Sequence, residues 1–186
     1  MTIISLKDFI TTGQFGPVKI GMTKDEVIKF LGKPDSDNNY GTGSGGLMYA
    51  WYEFFYRQDT LKINGIQNDH LTTWPGNKRK KTKNHQEAIC FQNDRICIDI
   101  WFLKAGQDIT YGEVLNILRT EQISFEEIND QHQGHLIKFK SGVTMDFDDQ
   151  SGLWLGDEDG NVKKNEEIIT TLDNQLLNGI RLFDLS

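Results

Sequence analysis

Acid–base chemistry is the first possibility the residues raise. Asp146, Asp148 and Asp149 fall along one strand end, and carboxylates this close could act as a general acid and a general base. A solvated strand edge carries the same residues for a simpler reason, because charge there discourages pairing with another chain. Farther on, Leu155 to Glu166 can be laid over a calcium loop, with Asp157 and Asp159 at the third and fifth positions and Glu166 at the bidentate twelfth. The first position fails, because Leu155 offers no carboxylate and the residues before it have a strand pattern. An acidic turn carrying Asp157, Glu158 and Asp159 is the expectation.

Gly41-Thr42-Gly43-Ser44-Gly45-Gly46 has the glycine density of a phosphate loop. It lacks a Gly-Lys-Ser/Thr ending, and an aromatic strand follows it instead of a helix whose amides would face the phosphate. A mobile loop is expected. His132 and His135 share one turn, but two imidazoles fall short of the three or four ligands that zinc takes. Cys90 and Cys97 stand outside any nucleophile context, and no Ser lies in a Gly-x-Ser-x-Gly elbow. No catalytic, metal or cofactor residue is assigned, and a binding protein is expected in preference to an enzyme.

The elements that would position these residues begin with a helix start written twice. Met22-Thr23-Lys24-Asp25-Glu26-Val27 and Ile109-Thr110-Tyr111-Gly112-Glu113-Val114 each place Thr at the N-cap, Glu three residues later and an apolar pair around the turn. That is a capping box with a hydrophobic staple. Short amphipathic helices follow, through Val27, Ile28, Phe30 and Leu31 in one and Val114, Leu115, Ile117 and Leu118 in the other. Gly32 and Pro34 stop the first; the second fades into Arg119-Thr120-Glu121-Gln122.

Strand patterns come after each helix. Leu47 to Tyr56 and Leu61 to Ile66 predict a hairpin around Gln58-Asp59, with Tyr56 opposite Leu61 and Phe54 opposite Ile63. A second hairpin is predicted from Ala88–Gln92 and Arg95–Phe102 around Asn93-Asp94, which sets Cys90 across from Cys97 as two free thiols. Ser124–Ile128, Leu136–Phe139, Val143–Phe147 and Leu153–Leu155 read as a meander, and Asn165 through Leu177 has helical spacing. The expected fold class is α+β: one domain over 1–186, made of two helix-plus-antiparallel-meander units at about 1–104 and 105–186, with a C-terminal helix.

Composition narrows the partners. The apolar fraction of 37% is too high for disorder, and no run approaches the length that crosses a bilayer. The N-terminal residues lack the basic start and apolar stretch of a secretory signal, so a cytoplasmic protein without membrane attachment is expected. A formal charge of −7 opposes general nucleic-acid binding and favours a basic partner. Lys78 to Lys83 is the exception, read as a solvated basic loop.

The run Gly16-Pro17-Val18-Lys19-Ile20-Gly21-Met22-Thr23-Lys24-Asp25-Glu26-Val27, with Leu31-Gly32-Lys33-Pro34-Asp35, resembles the helix motif of BamE (SmpA/OmlA)-like domains and of the tandem-repeat β-lactamase-inhibitor-like fold. That resemblance implies a short helix packed on a small antiparallel sheet. In size, acidity and class the chain also resembles cytoplasmic immunity proteins of bacterial polymorphic-toxin systems. It implies a protein that neutralises a cognate toxin, such as a basic toxin domain, by covering its active surface. Asp146, Asp148, Asp149, Trp154, Asp157, Glu158 and Asp159 are then the expected contact residues. The alternatives are a small-ligand pocket built from Trp51, Tyr52, Phe55 and the glycine loop, and, third, an enzyme using paired carboxylates.

Overall fold

The computed structural model describes residues 1–72, 78–130, 134–148, 154–156, 162–164 and 171–184, with the backbone alone at 78–82, 84, 130, 154–156 and 162–164. The chain begins with β1 (Thr2–Ser5) and α1 (Leu6–Thr12), then enters α2 (Lys24–Leu31). Thr23 caps α2 as its sequence requires. Its hydroxyl oxygen accepts from the Glu26 amide at 3.3 Å, and the Glu26 carboxylate accepts from the Thr23 amide at 2.8 Å. Gly32, at φ +92°, ends the helix.

Four strands follow: β2 (Ser36–Asn39), β3 (Ser44–Tyr49), β4 (Tyr52–Arg57) and β5 (Ile63–Asn68). Then come α3 (Lys78–Ile89), β6 (Ile96–Asp99) and α4 (Tyr111–Thr120). Thr110 and Glu113 repeat the capping box on α4, again with bonds of 3.3 and 2.8 Å. The remaining strands are β7 (Phe125–Asp130), β8 (Gly134–Phe139), β9 (Thr144–Asp148), β10 (Trp154–Gly156), β11 (Val162–Lys164) and β12 (Leu176–Phe183).

Two separate helix-plus-meander units do not form. Eight strands make one antiparallel sheet in the order β2-β3-β4-β5-β12-β9-β8-β7, and among the described residues the protein is mostly β with four short helices. The cause is β12, which pairs with β5 on one side and β9 on the other and so satisfies the backbone edges of both meanders. The predicted C-terminal helix is corrected by the same strand. Leu172–Asn174 is a single 3₁₀ turn and Leu176–Leu177 already belong to β12; residues 165–170 lie outside the described residues.

Three smaller expectations are also corrected. Ala50, at φ +50°, breaks the predicted Leu47–Tyr56 strand into β3 and β4 around an Ala50-Trp51 turn, hidden in the sequence because both turn residues are apolar. The next hairpin closes through a four-residue loop with Leu61 at φ +53°, so Tyr56 faces Ile63 and not Leu61. Lys78–Ile89 is a helix in place of a basic loop and half a hairpin. Its long straight-chain residues favour that conformation, and His85, Ala88 and Ile89 bury one stripe of it. β6 instead pairs in parallel with β1, and Cys97 faces Gln92, leaving Cys90 exposed and both thiols free.

The core lies on one face of the sheet. Tyr52, Phe54, Ile66, Ile137, Met145 and Ile180 meet residues from all four helices, among them Phe9, Val27, Ile89 and Leu118. Phe54 is fully buried between the edges of Phe15 and Tyr49, with ring centroids at 5.4 and 5.6 Å. No helix among the described residues is long and apolar enough to cross a membrane.

Candidate functional site

The other face of the sheet carries the exposed chemistry. Side chains alternate along β4, so Tyr52, Phe54 and Tyr56 enter the core while Glu53 and Phe55 rise from the opposite side. Register extends that side across the sheet. Glu53 lies opposite Gln67, Gln67 opposite Arg181, and Arg181 opposite Thr144. A second row runs through Gly179, Asp146, Leu136 and Ile128, and a third through Phe55, Gly65 and Phe183.

Two glycines let large side chains lie flat on this face. A Cβ at Gly65 would sit 2.4 Å from the Phe183 ring, and one at Gly179 would sit 2.6 Å from the Asp146 carboxylate and 3.0 Å from the Arg181 guanidinium. A larger residue at either position would push these groups off the face. The rings then form a continuous strip, with Phe55 5.5 Å from Phe183 and 6.2 Å from Tyr40. Tyr40 and Trp51 are each 42% exposed and Phe183 39%.

A polar network fills the middle. Arg181 grips Asp146 bidentately, with Nε and Nη2 at 2.9 and 3.0 Å, and Asn178 donates to the same carboxylate at 3.0 Å. Burial pulls the Arg181 pKa down, but the hydrogen bonds and charges of Asp146 and Asp69 more than offset it and leave it raised. Gln67, buried beside Arg181, turns its amide nitrogen toward two carboxylates: Glu53 at 3.2 Å and Asp69 at 3.3 Å. The Tyr40 hydroxyl donates to the other oxygen of Glu53. His70 stacks edge-on against Trp51 at 4.1 Å and lies 3.3 Å from Asp69. Its pKa is lowered, chiefly by burial, which the Asp69 and Glu53 charges only partly oppose. At neutral pH the ring is therefore uncharged.

No protein-family model matches the sequence, and neither the curated proteins nor the solved structures contain a match. Function has to be read from the chemistry of the face itself.

Of the expected contact residues, Asp146 and Asp148 stand on this face, two positions apart on β9. Asp146 accepts hydrogen bonds from both Arg181 and Asn178. Asp149, Asp157, Glu158 and Asp159 lie outside the described residues, as does His132. Trp154 is placed only by its backbone, opposite Lys164 in the β10–β11 hairpin. The pocket expected from Trp51, Tyr52 and Phe55 does not assemble. Tyr52 is buried and donates to the Ile89 carbonyl at 2.7 Å, on the face opposite Phe55. The glycine run is divided, with Ser44–Gly46 inside β3.

Among the described residues no three His, Cys, Asp or Glu side chains converge on a metal position. A groove of about 360 Å³ lies between α4 and the loop before it, bordered by Phe102, Ile109 and Ile117; its one α4 carboxylate, Glu113, is spent on the helix cap. Sequence reasoning missed Tyr40, Glu53, Gln67, Asp69, Phe183 and Arg181. The alternation of Trp51, Glu53 and Phe55 against Tyr52, Phe54 and Tyr56 was the available signal, since it assigns two aromatics and an acid to a face the core does not use.

Proposed function

We propose that this chain is a cytoplasmic binding protein that neutralises a cognate bacterial toxin by laying the open face of its sheet over the toxin's active surface. The observation that carries the reading is the strip of Tyr40, Phe55 and Phe183, with Trp51 beside it, on the face where no described helix packs. Large exposed aromatics around an ordered charge network are the composition of interface hot spots, because they bury much area while losing little side-chain entropy. A net charge of −7 adds long-range attraction for a basic toxin domain and speeds capture.

The test uses the C-terminal domain of the large secreted protein encoded beside this chain, titrated calorimetrically with purified protein. A 1:1 complex with nanomolar affinity is expected, weakened about tenfold or more by Trp51→Ala or Phe183→Ala. The reading is abandoned if no such neighbour is encoded, if the two proteins do not bind, or if both variants bind like the parent.

A further inference from the structure

Resting on that reading, we infer that the open face seats a cationic side chain of the protein partner, an arginine or lysine, against the carboxylates of Glu53 and Asp69 between the Tyr40 and Trp51 rings. The charge arrangement is lopsided at this point. Among the described residues, Asp69 and Asp146 lie within ion-pair distance of Arg181, Glu53 is joined to it through Gln67, and the arginine is taken up bidentately by Asp146. Its nearest approach to Asp69 is 4.0 Å. His70, the other nitrogen base at Asp69, is neutral at pH 7 because burial lowers its pKa.

Glu53 has no cationic partner among the described residues; a phenol and an amide are its hydrogen-bond donors. Both it and Asp69 reach the same Gln67 nitrogen, so a single cation placed above that amide can touch the two of them. Two like charges held this close repel each other, and a guanidinium or ammonium relieves that repulsion as it binds.

The surroundings favour a side chain presented by a protein over a small free cation. Tyr40 and Trp51 offer ring faces for cation–π contact beside the carboxylates, and the ring strip continues through Phe55 to Phe183, well beyond what a small ion covers. Gln67 is held in register for this task, since its carbonyl oxygen accepts from Arg181 at 3.4 Å and its nitrogen must then face the carboxylates. Charge complementarity thus selects a basic protein surface with one long cationic side chain at its centre.

The probe is a tetra-arginine amide peptide, titrated at low ionic strength while the Trp51 indole and Gln67 amide signals are followed by NMR. Both signals are expected to move. Glu53→Gln combined with Asp69→Asn should weaken binding about tenfold. Asp25→Asn combined with Glu87→Gln, which removes the same charge from α2 and α3, should change it less than about twofold. Circular dichroism and melting of both double variants check that the fold persists.

Equal loss in the two double variants overturns the inference, because bulk charge alone would then explain binding; so do peptide shifts centred elsewhere. Free arginine amide binding as tightly as the peptide also overturns it in favour of a small-cation site. Should the toxin domain bind the Glu53→Gln/Asp69→Asn variant undiminished, the inference fails while the proposed function stands. If the peptide seats as expected and the toxin domain does not bind at all, the proposed function fails instead.

Discussion

Phe54 and Phe55 are consecutive on β4, yet they belong to different surfaces. Phe54 is fully buried and boxed by Phe15 and Tyr49; Phe55 is half-buried and touches Tyr40 and Phe183 in a strip facing outward. One face of the sheet spends its aromatics on stability, while the other holds them in position around a charge network. The difference teaches that residue type alone does not mark a site. Phe and Tyr occur on both faces, and only the period-two alternation, read against the position of the helices, separates structural rings from available ones.

The contrast can be broken by truncating one side at a time. Phe54→Ala should cost about 3–5 kcal/mol of unfolding free energy, because a fully enclosed ring leaves a cavity behind. Urea denaturation measures it, and a loss under 1 kcal/mol would show that the core face is not packed as described. Arg181→Met comes next, at about 1–3 kcal/mol. It leaves Asp146 in a partly buried position with Asn178 still donating to it, and the pair is too accessible for the full cost of breaking a buried one. Replacing Asp146 by Leu in the same chain should recover part of that loss, and a strictly additive double variant would refute the pairing.

Phe55→Ala and Phe183→Ala should each cost only about 0.5–1 kcal/mol, in keeping with a ring pair that keeps one side exposed. If either destabilises as much as Phe54→Ala, the outward face is part of the core and the distinction collapses. The smallest effect is a pH dependence at His70. Its folded pKa is lowered, so between that value and the ordinary imidazole pKa the unfolded chain binds more protons than the folded one. Stability should be flat above the ordinary histidine range and fall as pH drops through it. His70→Gln should remove that part of the slope, and Trp51 emission, quenched by a protonated imidazole, should change at lower pH, as the folded imidazole takes up its proton, in the parent only.

How much of this was legible follows from where each signal is stored. The two capping boxes were, because Thr23, Glu26, Thr110 and Glu113 make their bonds within four residues and need nothing distant. The end of α4 was not. It closes as a Schellman turn, with the Ile123 amide bonded to Leu118 and the Gln122 amide to Arg119, but the left-handed position is filled by Gln122 at φ +56° where a glycine would have announced it. Strands β7, β8 and β9 were found close to their places because turn residues bracket them. β12 was mistaken for the end of a helix, since its identity depends on partners more than a hundred residues earlier in β5. The site was lost with it, because Arg181 on β12 is what links Asp146 to Gln67, and no local pattern reports a sheet order.

That placement of β12 has a further consequence for how the molecule is made. It is the last strand in chain order and stands fifth of eight in the sheet. Until it has emerged from the ribosome, β5 and β9 each present an open edge, and no strand joins the two meanders. The slow event in folding is therefore expected to be the insertion of β12 between them, a step dominated by contacts distant in sequence. A nascent or truncated chain ending before Leu176 would carry both edges unprotected and be prone to pair with its neighbours.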